Sequence, residues 1–328
     1  MIAEFPLDVG IVGAGPVGLA AAIAAQRYGL RARVWDAGPL CASIVRYPTN
    51  MVFFTTNELL EIGDHPLVSG GPKATRREAL DYYRKVAERE RLDVVTHAPV
   101  ARIAPGDGAF TVTVRGGHDG LAAACRAVLV ATGYYANPKR LEVPGEDLPH
   151  VAHYYDEAHR HWRRRVVVVG GGNSACEAAL ELTRAGAEVT MLVRDAALKT
   201  TVKYWVRPDL ENRIREGALR ALFGARVEAI TADAVHFVVG DRREAIAADA
   251  VLLLTGYFAD ATLLRDAGAA VRPDGGVVLD PATFETSVPG LYAIGSAGFG
   301  PRTGEVFIEN GRDHARAAVA HLAARLRR

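Results

Sequence analysis

The chain has 328 residues, of which 49% are hydrophobic and 23% charged, and its formal net charge is +1. This length suits two domains of roughly 100 to 200 residues each, and the composition excludes a disordered chain. Because the balanced charge gives no overall field that would attract nucleic acid or anionic lipid, we expect a small-molecule task with neither nucleic acid nor membrane as a partner.

The amino-terminal stretch leads directly into a strand-like segment. It lacks the basic start and the small-residue cleavage site of an export signal, and no apolar run approaches the roughly 18 residues that cross a bilayer. We therefore expect a cytoplasmic protein. The cysteines have neither a Cys-x-x-Cys pair nor a spacing suited to zinc or an iron–sulfur cluster, so no metal site is predicted.

The first predicted element is a nucleotide-binding turn between a strand and a helix. Residues 7–12 form a short apolar run typical of a buried parallel strand, and residues 17–30 have helical periodicity. The Gly-x-Gly-x-x-Gly turn between them offers candidate contacts at Gly13, Gly15, Pro16 and Gly18. A second strand ends in Asp36, 23 residues after Gly13, where a carboxylate can accept ribose hydroxyls while the helix N-terminus holds a pyrophosphate. Although such a turn alone is a weak signal, this context favours a dinucleotide site.

The same unit recurs in the middle of the chain. Residues 163–194 again run strand, Gly-x-Gly-x-x-Ala turn, helix and strand, which predicts a second dinucleotide site with contacts at Gly170, Gly172, Asn173, Ser174 and Ala175. Arg194 stands where the first copy has Asp36. A guanidinium pairs with a 2′-phosphate that a carboxylate would repel, so this site is predicted to prefer NADPH over NADH. Two lysines just downstream are either further phosphate contacts or solvated surface charges: Lys199 and Lys203.

Two further strand-like segments end in Thr-Gly-Tyr. Residues 127–135, AVLVATGYY, and 250–258, AVLLLTGYF, place Thr132, Gly133 and Gly256 where the backbone can approach a nucleotide, because glycine has no side chain to block it. Their occurrence at the end of both nucleotide halves favours this interpretation over an ordinary turn. We predict that both segments are crossing points between domains.

A last strand-like segment, residues 289–300, and the amphipathic helix after it are predicted to complete the first domain. The predicted fold is α/β, with two Rossmann-like three-layer dinucleotide-binding domains, the second inserted into the first. The predicted boundaries are 1–136 and 259–328 for the first domain and 137–258 for the inserted NADPH-binding domain.

Long stretches of the sequence resemble one group of flavoproteins. Two-domain reductases of the thioredoxin-reductase class show the same paired turns, together with motifs that match Asp36, Arg194, Ala-Thr-Gly at 131–133 and YAIGS at 292–296. A narrower similarity, to the bacillithiol disulfide reductases, rests on the non-repetitive stretches 43–63, 75–86, 203–214 and 307–315. The resemblance implies that the first fold holds FAD, that the second holds NADPH, and that hydride passes from the nicotinamide to the flavin and onward.

The resemblance also implies a set of FAD contacts. The first glycine turn would hold the pyrophosphate, Asp36 the adenosine ribose and the backbone of Val100 the adenine. Gly295 and Ser296 fall where the class usually has Gly-Asp, so a serine hydroxyl replaces the carboxylate that holds a ribityl hydroxyl. Ring-side contacts and the positive end of the last helix would come from Thr49, Asn50, Phe307 and Ile308. A homodimer or larger homo-oligomer is implied as well.

The cysteines depart from this family. A thioredoxin reductase needs a Cys-x-x-Cys, which is absent, and the bacillithiol-type relatives carry a cysteine after the proline of the first turn, where this chain has Val17. A valine forms neither a thiolate nor a mixed disulfide. Cys41 is the best substitute, against the alternative of a loop residue without a redox role. Cys176 lies in the first turn of the second nucleotide helix, whose dipole is expected to lower its pKa, although bound NADPH would cover it; Cys125 is interpreted as packing.

We therefore expect an enzyme that passes hydride from NADPH to FAD and then to a disulfide such as bacillithiol disulfide, with no catalytic side chain identified. The enzymatic alternative is a ferredoxin– or flavodoxin–NADP reductase without a redox-active cysteine, whose acceptor is a small redox protein. The non-enzymatic alternative is a sensor that binds flavin or NADPH.

Overall fold

The computed structural model describes residues 7–115 and 122–327. The chain divides into two compact units that change over at Asn137/Pro138 and at Gly256/Tyr257, so that residues 138–256 form a unit inserted into the other. These changes lie within two residues of the predicted domain boundaries. A short segment of the first part of the chain, Tyr47–Thr49, is grouped with the inserted unit.

The elements follow one another in the order that the sequence predicts for both nucleotide folds. The strands are β1 (Leu7–Val12), β2 (Ala32–Trp35), β3 (Val94–Val95), β4 (Val100–Pro105), β5 (Phe110–Val114), β6 (Ala122–Val130), β7 (Val151–Ala152), β8 (Arg165–Val169), β9 (Glu188–Val193), β10 (Arg220–Phe223), β11 (Ala225–Ile230), β12 (Ala234–Val239), β13 (Arg242–Ala247), β14 (Ala250–Leu253) and β15 (Leu291–Ala293).

The helices are α1 (Pro16–Arg27), α2 (Ala42–Val45), α3 (Asn57–Leu60), α4 (Arg76–Arg89), α5 (Asn173–Arg184), α6 (Arg207–Arg215), α7 (Thr262–Asp266) and α8 (Ile308–Leu326), with a short 3₁₀ turn at His159–His161. Among these described helices, none combines the length and the apolar character needed to cross a lipid bilayer.

The first unit is built on a seven-stranded sheet in the order β3-β2-β1-β6-β5-β4. Strand β6 serves two partners on one edge: its beginning pairs antiparallel with β5 and its end pairs parallel with β15. Strand β1 lies parallel to β6 on the other edge. The carboxyl ends of β1, β6 and β15 are therefore neighbours, which is where ligands bind in open α/β sheets.

The inserted unit has the three layers that the sequence predicts. A parallel sheet, β10-β9-β8-β14-β7, lies between helices and a second, antiparallel sheet, β11-β12-β13. The alternation of side chains along β8 shows this directly, because Val166 and Val168 pack with residues of α5 and α6 whereas Val167 and Val169 pack with residues of β11 and β12. A strand buried on both faces explains the unbroken apolar run in its sequence.

The core between the two sheets of this unit generates a stability prediction. Phe237 on β12 is 2% exposed, whereas its neighbour His236 points to the opposite, exposed face. Phe237→Ala is expected to cost about 3–5 kcal/mol because it removes a buried aromatic ring and leaves a cavity. Chemical denaturation followed by circular dichroism measures this loss. His236→Ala serves as the matched control on the same strand, and equal effects of the two substitutions would contradict the described packing.

Candidate functional site

The first glycine turn is shaped by contacts that exclude a side chain. Gly13 has φ +111° and donates its N–H to the Trp35 carbonyl at 2.7 Å, and a β-carbon on Gly13 would lie 2.4 Å from the Ala131 carbonyl oxygen. A β-carbon on Gly18 would lie 1.9 Å from the Gly13 carbonyl oxygen. Both positions therefore require glycine, for backbone geometry at the first and for close approach of helix to strand at the second.

Gly15 differs from its two neighbours because it faces open space. It is the N-cap of α1 with an ordinary φ of −77°, and no described atom lies within 4 Å of a β-carbon built on it. Pro16 follows as the first helical residue, and no side chain caps the helix. The first-turn N–H groups of α1 thus lie beside open space, which is the arrangement that a pyrophosphate requires.

Asp36 is tied to this turn by hydrogen bonds. Its Oδ2 accepts the N–H of Ala14 at 2.7 Å and its Oδ1 accepts the N–H of Gly38 at 2.8 Å. Burial raises the pKa of this carboxyl group, and the two hydrogen bonds act in the opposite direction. Each oxygen keeps a lone pair free, so the carboxylate can still accept ribose hydroxyls. The Asp36 carbonyl accepts the N–H of Ala98 at 2.7 Å, which brings the segment preceding Val100 beside it.

The ends of β6 and β15 meet beside the first turn. A β-carbon on Gly133, which has φ +69°, would lie 3.9 Å from the Ser296 hydroxyl oxygen. A β-carbon on Gly295, with φ +62°, would lie 3.2 Å from Val17. The structure thus brings together the predicted residues Gly133, Gly295 and Ser296, and the exposed Thr132 precedes them in the chain.

Val17 has a packing role that the sequence does not reveal. Its branched side chain contacts Gly295, and a β-carbon on Gly311 of α8 would lie 2.8 Å from a γ-carbon of Val17. Glycine on both partners leaves room for the branch. At the start of the same helix, Phe307 is the N-cap and donates its N–H to Asn310 Oδ1 at 2.8 Å, and Ile308 is the first helical residue. The predicted contact of this helix end with flavin stays a prediction.

No described contact joins Thr49 or Asn50 to the first glycine turn. Both are exposed, and the Thr49 N–H donates to the Asp156 carbonyl at 2.8 Å within the inserted unit. Val100 begins β4, where the pairing with β5 shifts register between Val100 and Arg102. The predicted ring-side and adenine contacts of these residues stay predictions.

The cysteines are all buried. Cys41 is 1% exposed, and burial, followed by the charge of Asp36, raises its pKa far above the ordinary range. Burial raises the pKa of Cys125 to about 12. The expectation that a helix dipole lowers the pKa of Cys176 is wrong: burial, reinforced by Glu177, raises it to about 12. At neutral pH none of these thiols is a thiolate, and the thiolate is the reactive form.

The second glycine turn repeats the contacts of the first. Gly170 has φ +142°, and a β-carbon there would lie 2.4 Å from the Leu254 carbonyl oxygen and 3.1 Å from the buried Ala175. Gly172 is the N-cap of α5, with no side-chain cap. The nearest described atom to a β-carbon built on Gly172 is Lys199 Cδ, at 4.0 Å. Ser174, the second residue of α5, is exposed.

The predicted polar residues around this second turn separate into two groups. Arg194, with its side chain 79% exposed and 3.6 Å from Asp195, and the exposed Lys199 are available to a ligand. Lys203 instead pairs with Glu177 at 2.6 Å, and Asn173 spans the loop by accepting the Lys203 N–H and donating to the Thr201 carbonyl. These last two side chains hold the loop against α5.

A further cation beside the second glycine turn, Lys139, was not predicted from the sequence. Lys139 follows the first crossing segment, and its N–H donates to the Gly256 carbonyl at 2.9 Å. Its pKa is lowered by burial and then by the charges of Lys199 and Arg194, so the three cations share one region. Nothing in the local pattern NPKRL marks this lysine, because the contact joins segments more than a hundred residues apart in the chain.

Comparisons with known proteins agree with the predicted family and fold. The sequence profile of the pyridine nucleotide-disulphide oxidoreductase family matches residues 10–295. Bacilliredoxin reductase Bdr of Bacillus subtilis is 38% identical over 96% of this chain and 97% of its own length. The solved structure of bacillithiol disulfide reductase Bdr (YpdA) from Bacillus cereus matches with a TM-score of 0.94 at 37% identity, covering 97% of this chain and 99% of that one. A ferredoxin–NADP reductase of Granulibacter bethesdensis is 29% identical, with coverage of 95% and 88%.

The contrast between Gly15 and Gly18 generates a testable prediction. Gly15→Ala places its methyl group in open space at an unstrained φ, so the variant is expected to fold with an unchanged melting temperature of the cofactor-free protein. The same methyl group occupies the predicted pyrophosphate position, so retention of FAD, measured by its visible absorbance, is expected to fall at least tenfold. Gly18→Ala is expected to destabilise the cofactor-free protein itself. Full FAD retention by Gly15→Ala would contradict the assignment.

Proposed function

The chain belongs to the pyridine nucleotide-disulphide oxidoreductase family, and we propose that it is an NADPH-dependent FAD enzyme that reduces a small-molecule disulfide, with bacillithiol disulfide as the leading candidate. The observation that carries this proposal is the match, over nearly the full length of both chains, to proteins named bacillithiol disulfide or bacilliredoxin reductases. The resemblance read from the sequence is thereby confirmed.

The first unit fits FAD. The open space at Gly15 accommodates a pyrophosphate on the N-terminus of α1, and Asp36 presents carboxylate oxygens for a ribose. Ser296 stands beside Gly133 at the ends of two neighbouring strands and supplies one hydroxyl for the ribityl chain. When bound, FAD supplies a carrier that accepts a hydride from NADPH and passes two electrons to an acceptor.

The inserted unit fits NADPH. Its helix α5 begins at the uncapped Gly172, so its first-turn N–H groups are available to the pyrophosphate. Arg194 is exposed at the end of β9, where a guanidinium can pair with the 2′-phosphate that distinguishes NADPH from NADH. The chain is thus a two-site oxidoreductase in which each dinucleotide has its own glycine turn.

Electrons leave this enzyme without a thiol of its own. Val17 replaces the cysteine of the first turn, and the described cysteines are buried with raised pKa values. The proposed reaction is balanced without such a thiol: NADPH and one proton give two electrons to the disulfide, its S–S bond breaks, and two thiols and NADP⁺ form. The protein's task is to hold both dinucleotides and to admit the acceptor.

A second candidate function is the reduction of a small redox protein. It is favoured by the lack of an accessible thiol among the described residues and by the 29% identity to a protein named ferredoxin–NADP reductase. We propose a cytoplasmic location and a homo-oligomer for either enzyme. A sensor that binds NADPH without reducing flavin is the non-enzymatic alternative.

Stopped-flow measurements separate these candidates. FAD-loaded enzyme is reduced with NADPH in the absence of oxygen and then mixed with bacillithiol disulfide or with oxidised ferredoxin. We expect the disulfide to restore the oxidised flavin spectrum at least tenfold faster than ferredoxin does. The reverse order would support the redox-protein candidate.

The same assay tests the thiol-free route. Because Cys41 is buried and its pKa is raised, Cys41→Ala is expected to be reoxidised by the disulfide at a rate within about twofold of wild type. A large loss of rate in a variant that retains FAD and is still reduced by NADPH would mean that this thiol takes part.

A further inference from the structure

We propose that Lys139 is a phosphate-binding residue of the NADPH site and that its amino group binds the pyrophosphate of the dinucleotide. This inference rests on the proposed function of the inserted unit as the NADPH-binding unit. It assigns a nucleotide contact to a segment that lies outside the strand–turn–helix repeat, and it adds a determinant of affinity that is distinct from Arg194.

The backbone fixes where Lys139 lies. Its N–H donates to the Gly256 carbonyl at 2.9 Å, and its carbonyl accepts the Thr255 hydroxyl at 2.5 Å. Gly256 has φ +99°, and a β-carbon built on it would lie 4.0 Å from Lys139 Cδ. The stem of the lysine therefore passes over the glycine that follows β14. This accounts for the second Thr-Gly: the threonine hydroxyl and the glycine backbone both hold the lysine segment.

The order of the strands places Lys139 on a defined side of the turn. Strand β8 lies between β9 and β14, and it leads into the glycine turn that begins at Gly170. Arg194 follows β9 on one side, and on the other side Lys139 lies over Gly256, the third residue after β14. Neighbouring strands are about 4.8 Å apart, so Lys139 lies on the opposite side of the turn from Arg194. The proposed pyrophosphate position is the turn itself, which β8 places between these two sides.

The cluster of positive charges around Lys139 favours the binding of an anion. Burial, then Lys199 and then Arg194, lower the pKa of Lys139, which means that its positive charge is held at a cost in the protein alone. Arg194 has Asp195 nearby and Lys203 pairs with Glu177. In residues 7–115 and 122–327, neither Lys139 nor Lys199 forms an ion pair with a carboxylate. A pyrophosphate between them would supply the missing negative charge.

Equilibrium binding to the oxidised, FAD-loaded enzyme tests this assignment by calorimetry with NADP⁺, NAD⁺ and 2′-AMP. Lys139→Met keeps the apolar stem over Gly256 and removes only the charge. It is expected to weaken NADP⁺ and NAD⁺ by the same factor, about tenfold or more as for a lost charge-assisted hydrogen bond, and to leave 2′-AMP unchanged. Arg194→Ala is expected to show the opposite pattern, weakening NADP⁺ and 2′-AMP and sparing NAD⁺.

Two further variants keep the test interpretable. Arg140→Ala removes the same charge from the adjacent residue, which pairs with Asp147 at 2.7 Å, and is expected to bind all three ligands as wild type does. Lys139→Arg is expected to retain most of the affinity. Wild-type affinity in Lys139→Met, a loss equal to that in Arg140→Ala, or a loss confined to NADP⁺ would each overturn the pyrophosphate assignment. If the wild-type enzyme binds neither NADP⁺ nor NAD⁺, the proposed function itself is wrong.

Discussion

Both nucleotide folds of this chain depend on a contact between two backbone segments that only glycine allows. At the first turn, Gly13 lies against the Ala131 carbonyl and Gly18 against the Gly13 carbonyl, and at the second turn Gly170 lies against the Leu254 carbonyl. These contacts bring the end of one strand against the end of its neighbour and set the helix N-terminus beside them. The second glycine of each motif, Gly15 or Gly172, has no backbone atom of another segment within 4 Å of a β-carbon built on it, and it lies at the predicted phosphate position.

The strand–turn–helix units built around these glycines are predictable from the sequence. The strands and helices that flank Gly13 and Gly170 lie where periodicity places them, and Asp36 is bound to the turn that it was predicted to serve. Local pattern does not reveal contacts between distant segments. Lys139 meets Gly256 across more than a hundred residues, and Lys203 is neutralised by Glu177 on α5, a pairing that only the folded loop shows. The antiparallel sheet formed by β11, β12 and β13 is the third layer of the inserted unit. Its strands contain no nucleotide-binding motif, so the sequence motifs did not predict where it lies.

Burial decides the chemistry of the thiols. A helix N-terminus stabilises a nearby thiolate, yet Cys176 has a raised pKa because its side chain has no access to water. Val17, at the turn position where the resemblance to bacillithiol disulfide reductases implies a cysteine, packs its branch against Gly295 and Gly311. That position is thus filled by a side chain that is fitted to its neighbours and inert to disulfides, in agreement with the proposed route in which the flavin itself reduces the acceptor.

In the proposed enzyme one glycine turn holds FAD and the other holds the NADPH that reduces it. This division of roles can be measured by anaerobic titration of the purified, FAD-loaded enzyme with NADPH, followed by flavin absorbance. We expect one equivalent of NADPH to bleach the flavin of each chain, and NADH to do so with much weaker apparent affinity. A stoichiometrically loaded enzyme whose flavin stays oxidised in excess NADPH would contradict this division of roles.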